Sequence, residues 1–179
     1  MEQVIAYTDG SAVVAGKSKG AGGFGTYFPD LFGQRKAFSL GFKDTKVGRM
    51  EIMALYFAIK AIPQKHNKAL DLIVYSDNEY VVKSFTEGRL ERWIEAGWRN
   101  TSGEVKNVDL WKLVVKGLNN KKFLKLELRH IRSHQVEKAK SEEEKITLRQ
   151  DPHIIGNMMA DMLADYKRHL FLKDSDRLN

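Results

Sequence analysis

A chain of 179 residues, 42% of them hydrophobic, has the length of one domain with a core of its own. Lys and Arg number 30 against 23 Asp and Glu, and the resulting charge of +7 favours a polyanionic partner. With no cysteine, disulfides and thiolate metal sites are excluded, and any metal must sit on oxygen or imidazole. The opening MEQVIAYTDG lacks a basic stretch leading into an apolar one, and nowhere do about 18 apolar residues run without a charge. Neither secretion nor a membrane span is therefore expected, and a cytoplasmic protein is.

In chain order, residues 3–8 form a short apolar run that ends at Asp9-Gly10. A Gly/Lys-rich turn at 15–23 precedes two β-rich runs, 24–28 and 35–42, so an antiparallel meander is predicted. Over 49–62 the apolar residues Met50, Met53, Ala54, Phe57, Ala58 and Ala61 recur at helical spacing until Pro63 stops them. Residues 70–75 are nearly all apolar, as a buried parallel strand would be, and Ser76-Asp77-Asn78 offers caps for a helix through Phe85. Helices are predicted over 87–98 and, from an Asn107 cap, 107–118; a last strand covers 123–131 and a last helix 156–172. Between them, VEKAKSEEEK (136–145), ITLRQDP and His153 read as a charged, partly helical surface excursion limited by Pro152. Meander, crossover helix, parallel strand and further helices give an α/β layer fold with a mixed sheet.

A carboxylate among core residues is costly unless it is paired, hydrogen-bonded or bound to a metal. Four acids sit in such surroundings: Asp9 after the first strand, Glu51 in the first turn of the helix from 49, Asp77 after the buried strand, and Asp161 among Met158, Met159, Met162 and Leu163. If the strands ending at Asp9 and Asp77 are adjacent and parallel, both acids emerge at one sheet edge. Four clustered carboxylates repel unless divalent cations hold them, and two Mg²⁺ roughly 3.5–4 Å apart would serve a phosphoryl displacement. Taken singly, each acid reads equally as a cap or a surface charge, Asp77 above all. Asp165 competes with Asp161 on the last helix. His130, His134 and His153 all fall near the same end, and Asn157 shares a helix face with Asp161 or else caps that helix. Trp93, Trp98 and Trp111 interleave with Arg92, Arg99, Lys106 and Lys112, as a nucleic-acid surface or as core with basic neighbours.

The blocks YTDGS (7–11), GRMEIMAL (48–55), YSDNEYV (75–81), KNVDLW (106–111), SHQ (133–135) and GNMMADMLA (156–164) resemble, in order and over nearly the whole chain, those of type 1 ribonucleases H. The resemblance implies the ribonuclease H-like fold, a mixed five-stranded sheet flanked by helices, in a single domain over 1–179. It implies a handle-like segment near 86–112 that grips DNA, and sets off a charged insertion near 136–155. It makes Asp9, Glu51, Asp77 and Asp161 the catalytic metal ligands, with Asp9 shared by two Mg²⁺ for which Mn²⁺ can substitute. His134 becomes the histidine that assists proton transfer or product release. Substrate contacts are expected at Gly10, Ser11, Gly22, Gly23, Asn78, Arg92, Trp93, Trp98, Arg99 and Asn157. The implied reaction is endonucleolytic cleavage of the RNA strand of an RNA–DNA hybrid by a monomer, leaving 5′-phosphate and 3′-hydroxyl ends. Asparagines that family members carry before the Arg-Met-Glu motif and in the first Gly-rich turn are replaced here by Val47-Gly48 and by residues 15–18. Backbone groups at Gly22 and Gly23, or the Gln135 side chain, are the candidates to take over. A hybrid-binding module without activity, and a nuclease for another polynucleotide, are the rival readings.

Overall fold

The structure, a computed structural model, describes residues 2–13 and 20–176; the turn at 15–18 lies outside them. Strand β1 (Glu2–Ala12) pairs antiparallel with β2 (Gly20–Leu31), which pairs antiparallel with β3 (Gln34–Thr45). Phe32 and Gly33, both at positive φ (53° and 82°), close the second hairpin, the backbone twist that a two-residue connection favours. Helix α1 (Val47–Ala61) then crosses to β4 (Leu70–Ser76), which lies parallel to β1, with Tyr7 opposite Tyr75 and Thr8 opposite Ser76. After α2 (Glu79–Thr86), α3 (Arg89–Glu95), a small hairpin of β5 (Arg99–Asn100) and β6 (Gly103–Glu104), and α4 (Val108–Asn119), strand β7 (Leu124–His130) joins β4 in parallel. The sheet order is β3-β2-β1-β4-β7. Short helices α5 (Gln135–Lys138) and α6 (Glu142–Leu148) lead into α7 (Pro152–Asp176).

The sheet separates two apolar layers. On one face α1 is buried between the sheet and α4, in a core that includes Ile52, Leu55, Leu72, Val81, Trp93 and Trp111. On the other face Tyr7, Tyr27 and Ala160 pack together beneath α7.

Several boundaries differ from the sequence reading. Helix α1 starts two residues early, so Glu51 lies just past its first turn. The predicted helix over 87–98 shrinks to α3, because Gly88 and Gly97 both take left-handed φ and Trp98 follows at φ 66°. The hairpin after it was not foreseen. Pro152 opens α7 rather than limiting a helix, the first-turn position where its fixed φ fits and its missing N–H costs nothing.

Candidate active site

Two glycines bring the acids together. Asp9 lies in β1 opposite Gly25 of β2, and a Cβ on Gly25 would strike the α7 backbone at Ala160. The close approach delivers the next residue, Asp161, to Asp9. On the opposite face of β1, a Cβ on Gly10 would collide with the backbone of Met50 and Glu51, so α1 rests on the strand where Glu51 begins. Arg49 holds that helix end from outside, donating to both carboxylate oxygens of Asp109 at 2.9 and 2.6 Å. Asp77 leaves the end of β4 one residue beyond the Thr8–Ser76 pair, and Asn78, not Asp77, caps α2 by accepting from the Val81 N–H at 3.1 Å.

Carboxylate oxygens of Asp9, Glu51 and Asp77 lie within 4.8 Å of one another. Asp9 and Glu51 are 8% and 5% exposed, so water does little to separate their charges. Burial, then Asp77 and Asp161, pushes the Asp9 carboxyl up to about 8. Burial, then Asp9 and Asp77, holds Glu51 well above the usual carboxylate range. Asp77 is raised by burial first, while His134 and His130 pull it back. Glu51 Oε2 and Asn157 Oδ1 are buried with no hydrogen-bond partner. Oxygen donors this close, this buried and partly orphaned fit a hard divalent cation. Asp165 is turned elsewhere: it accepts from Ser11 Oγ at 2.5 Å and pairs with Arg168 at 3.1 Å. The last helix therefore offers Asp161 to the cluster.

Around the cluster, His134 is exposed at φ 53° in the turn before α5 and faces Asp77 electrostatically. His130 Nε2 lies 3.2 Å from the Asp77 carbonyl, a neighbour that sequence reasoning put only near the site. A cavity of about 450 Å³ opens from Asp77 and His130 past Arg132, Ser133 and Gln135 to Lys138, Glu144 and Leu148. Asn157 is buried inside α7 and caps nothing. Gly22 and Gly23 are buried in the sheet; a Cβ at Gly22 would meet Thr45 and Ser11, one at Gly23 the α7 backbone. Their lack of a side chain serves packing. In segment 86–112, Arg92 and Arg99 are exposed, Trp98 is half-buried beneath Lys112, and Trp93 belongs to the core, between Tyr80 and Trp111. Trp93 is thus not presented to a ligand, because its ring completes the packing of α2 and α4.

Acids gathered at the carboxyl edge of the parallel strands β1 and β4 define a divalent-metal site of the kind that serves phosphoryl transfer. The particular family follows from comparison: the RNase H family model matches residues 1–168, and the chain belongs to that family, whose members are nucleases that use divalent metal ions. It is 40% identical over 122 residues to a Ribonuclease H of Lachnoclostridium phytofermentans, covering 65% of this chain and 73% of the relative. Among solved structures it is similar to LC9-RNase H1, a type 1 RNase H with the type 2 active-site motif, at TM-score 0.69 and 22% identity over 94% of this chain and 72% of that one. A foamy viral protease-reverse transcriptase in complex with RNA/DNA hybrid matches at TM-score 0.69 and 21% identity over 93% of this chain, which spans 20% of that longer protein.

Proposed function

We infer that this chain is an endonuclease that hydrolyses the RNA strand of RNA–DNA hybrids, using two Mg²⁺ ions for which Mn²⁺ can substitute. The observation that carries the reading is the convergence of the Asp9, Glu51 and Asp77 oxygens within 4.8 Å, with Asp161 against Asp9. Bound divalent ions supply an activated water and support for the leaving oxygen of an in-line displacement. Asp9, Glu51, Asp77 and Asp161 hold them, with Asp9 central because it feels the charge of both Asp77 and Asp161. His134, exposed beside Asp77, moves a proton or helps release product. The substrate is read by shape and 2′-hydroxyls in the minor groove, with Asn78 and Asn157 beside the cluster and Arg92, Arg99 and Trp98 of the handle on the DNA strand. Family membership and the fold shared with a reverse transcriptase bound to RNA/DNA hybrid support this choice of substrate.

The chain acts as one ribonuclease H domain, a cytoplasmic monomer with a handle near 86–112 and an insertion near 136–155. Among the described residues no helix is long and apolar enough to cross a membrane. Labelled RNA–DNA hybrid, duplex RNA and duplex DNA, incubated with Mg²⁺ and with excess EDTA, test the reading. Cleavage is expected of the hybrid's RNA strand alone, and only with the ion. Hybrid cleavage undiminished in EDTA would remove the metal mechanism, and comparable cutting of duplex DNA would remove the substrate.

A further inference from the structure

His153 in the first turn of α7 stands between two tyrosines of the sheet. Its Nδ1 lies 2.7 Å from Tyr7 Oη and its Nε2 3.5 Å from Tyr75 Oη. The imidazole centroid is 4.4 Å from the Tyr75 ring and 6.0 Å from that of Tyr7. Tyr7 and Tyr75 are register partners on β1 and β4, and their rings stack at 5.4 Å. Arg129 of β7 donates to Tyr75 Oη at 3.1 Å and is itself held by Glu127 at 2.7 Å. One imidazole therefore ties α7 to both parallel strands that carry site carboxylates.

The spacing gives this contact a consequence. Side chains alternate along a strand, so Tyr7 shares a face with Asp9, and Tyr75 with Asp77, two residues on. Along α7, His153, Asn157 and Asp161 follow each other at intervals of four and form one stripe. A turn of helix rises about 5.4 Å and two strand residues about 6.6 Å, so helix and strand advance nearly in step. The glycine contacts display that step: Gly156 sits at Tyr7, Ala160 at Gly25 opposite Asp9, and Ala164 at Gly23 opposite Ser11. Fixing His153 at Tyr7 and Tyr75 thus fixes where Asn157 and Asp161 arrive. Helix α6, just before it, buries none of its residues.

We propose that His153 is a positioning residue that sets the axial register of α7 on the sheet, and so places Asp161 and Asn157 at the Asp9, Glu51 and Asp77 cluster. The proposal rests on the reading of that cluster as a divalent-metal site. It concerns no bond made or broken in the reaction; its effect is on how well the last ligands are aimed.

Calorimetric titration of the full chain with Mn²⁺ in the absence of nucleic acid tests it. His153→Ala is expected to weaken Mn²⁺ binding about tenfold, the low end of what losing a ligand's support costs. His153→Gln, whose side-chain amide can still hydrogen-bond to Tyr7 Oη, should recover much of the loss. Asp161→Ala alone should weaken binding at least as much, and adding His153→Ala to it should cost little more, because the histidine acts through that acid. If His153→Ala fails to fold, His153→Phe fills the gap between the rings without a hydrogen-bonding nitrogen and carries the same comparison. Parent-like Mn²⁺ affinity in the folded variant, or a deficit that persists in full on the Asp161→Ala background, would overturn the proposal. A parent chain that binds no Mn²⁺ would instead overturn the metal-site reading beneath it.

Discussion

Gly156 of α7 lies against the face of the Tyr7 ring, where any Cβ would meet three ring carbons at once. Helix α7 can therefore reach the sheet only because this position lacks a side chain. Gly156→Ala should overpack the interface and cost about 1–3 kcal/mol, the usual range for an inserted methyl in a filled core. Urea unfolding with unchanged m-value and a lowered midpoint is the expected result. Because the ring is rigid and buried, the strain should also lift the helix and weaken Mn²⁺ binding. A variant as stable as the parent would mean that the ring can move aside.

The raised carboxylates make stability depend on pH in a definite direction. Asp9 binds its proton more tightly when folded, at about 8, than in the unfolded chain near its ordinary 3.8. Between those values the folded state holds more protons, so the stability of the metal-free protein falls as pH rises through that window. Thermal melts in EDTA from pH 5 to 8.5 should show a falling Tm, less steep in Asp9→Asn. Added Mg²⁺ should reverse the trend, since the ion binds the ionised form of the folded state only. A Tm in EDTA that rises over that range equally in parent and Asp9→Asn would show that this burden is absent.

Much of this architecture was legible because its signals are periodic. The α1 stripe and the apolar 70–75 run follow from burial on one face or two, and both elements form as expected. Asp9 and Asp77 were legible for the same reason, each ending an apolar strand run. Only the family resemblance singled out Asp161; spacing alone left open the choice between it and Asp165, since both lie on one side of α7 four residues apart. The choice is made by Gly25 and Ser11, which meet the helix from strands more than a hundred residues away. The contact of Tyr7 with His153 spans 146 residues and leaves no local pattern. The β5–β6 hairpin is polar and pairs only with itself, so no hydrophobic alternation announced it.

The segment proposed as a handle makes a prediction about binding alone. Arg99 is exposed, and Arg92, though exposed, commits one N–H to the Glu87 carbonyl at 2.8 Å. Replacing both with alanine should weaken hybrid binding and reduce the slope of log affinity against log salt by about one for each phosphate no longer neutralised. Turnover at saturating hybrid should change little. An unchanged slope over a salt titration would show that neither arginine meets a phosphate.

The acids proposed as metal ligands and His134 should fail differently. Asp9→Asn removes an anionic oxygen from the centre of the cluster, the one carboxylate that feels both Asp77 and Asp161, and turnover should fall by several orders of magnitude. The variant should still fold and bind hybrid, and in EDTA it should melt higher than the parent, because a buried, mutually repelling charge is gone. His134 is exposed in the turn before α5, where its charge lowers the Asp77 carboxyl. The proton-carrying role proposed for it is worth typically about 10²–10⁴-fold, and water can replace it in part. His134→Ala should therefore keep more activity than Asp9→Asn, and its melt in EDTA should match the parent. The two purified variants, assayed side by side on labelled hybrid at saturating Mg²⁺, decide the matter: more residual cleavage in Asp9→Asn than in His134→Ala would reverse the roles assigned to them.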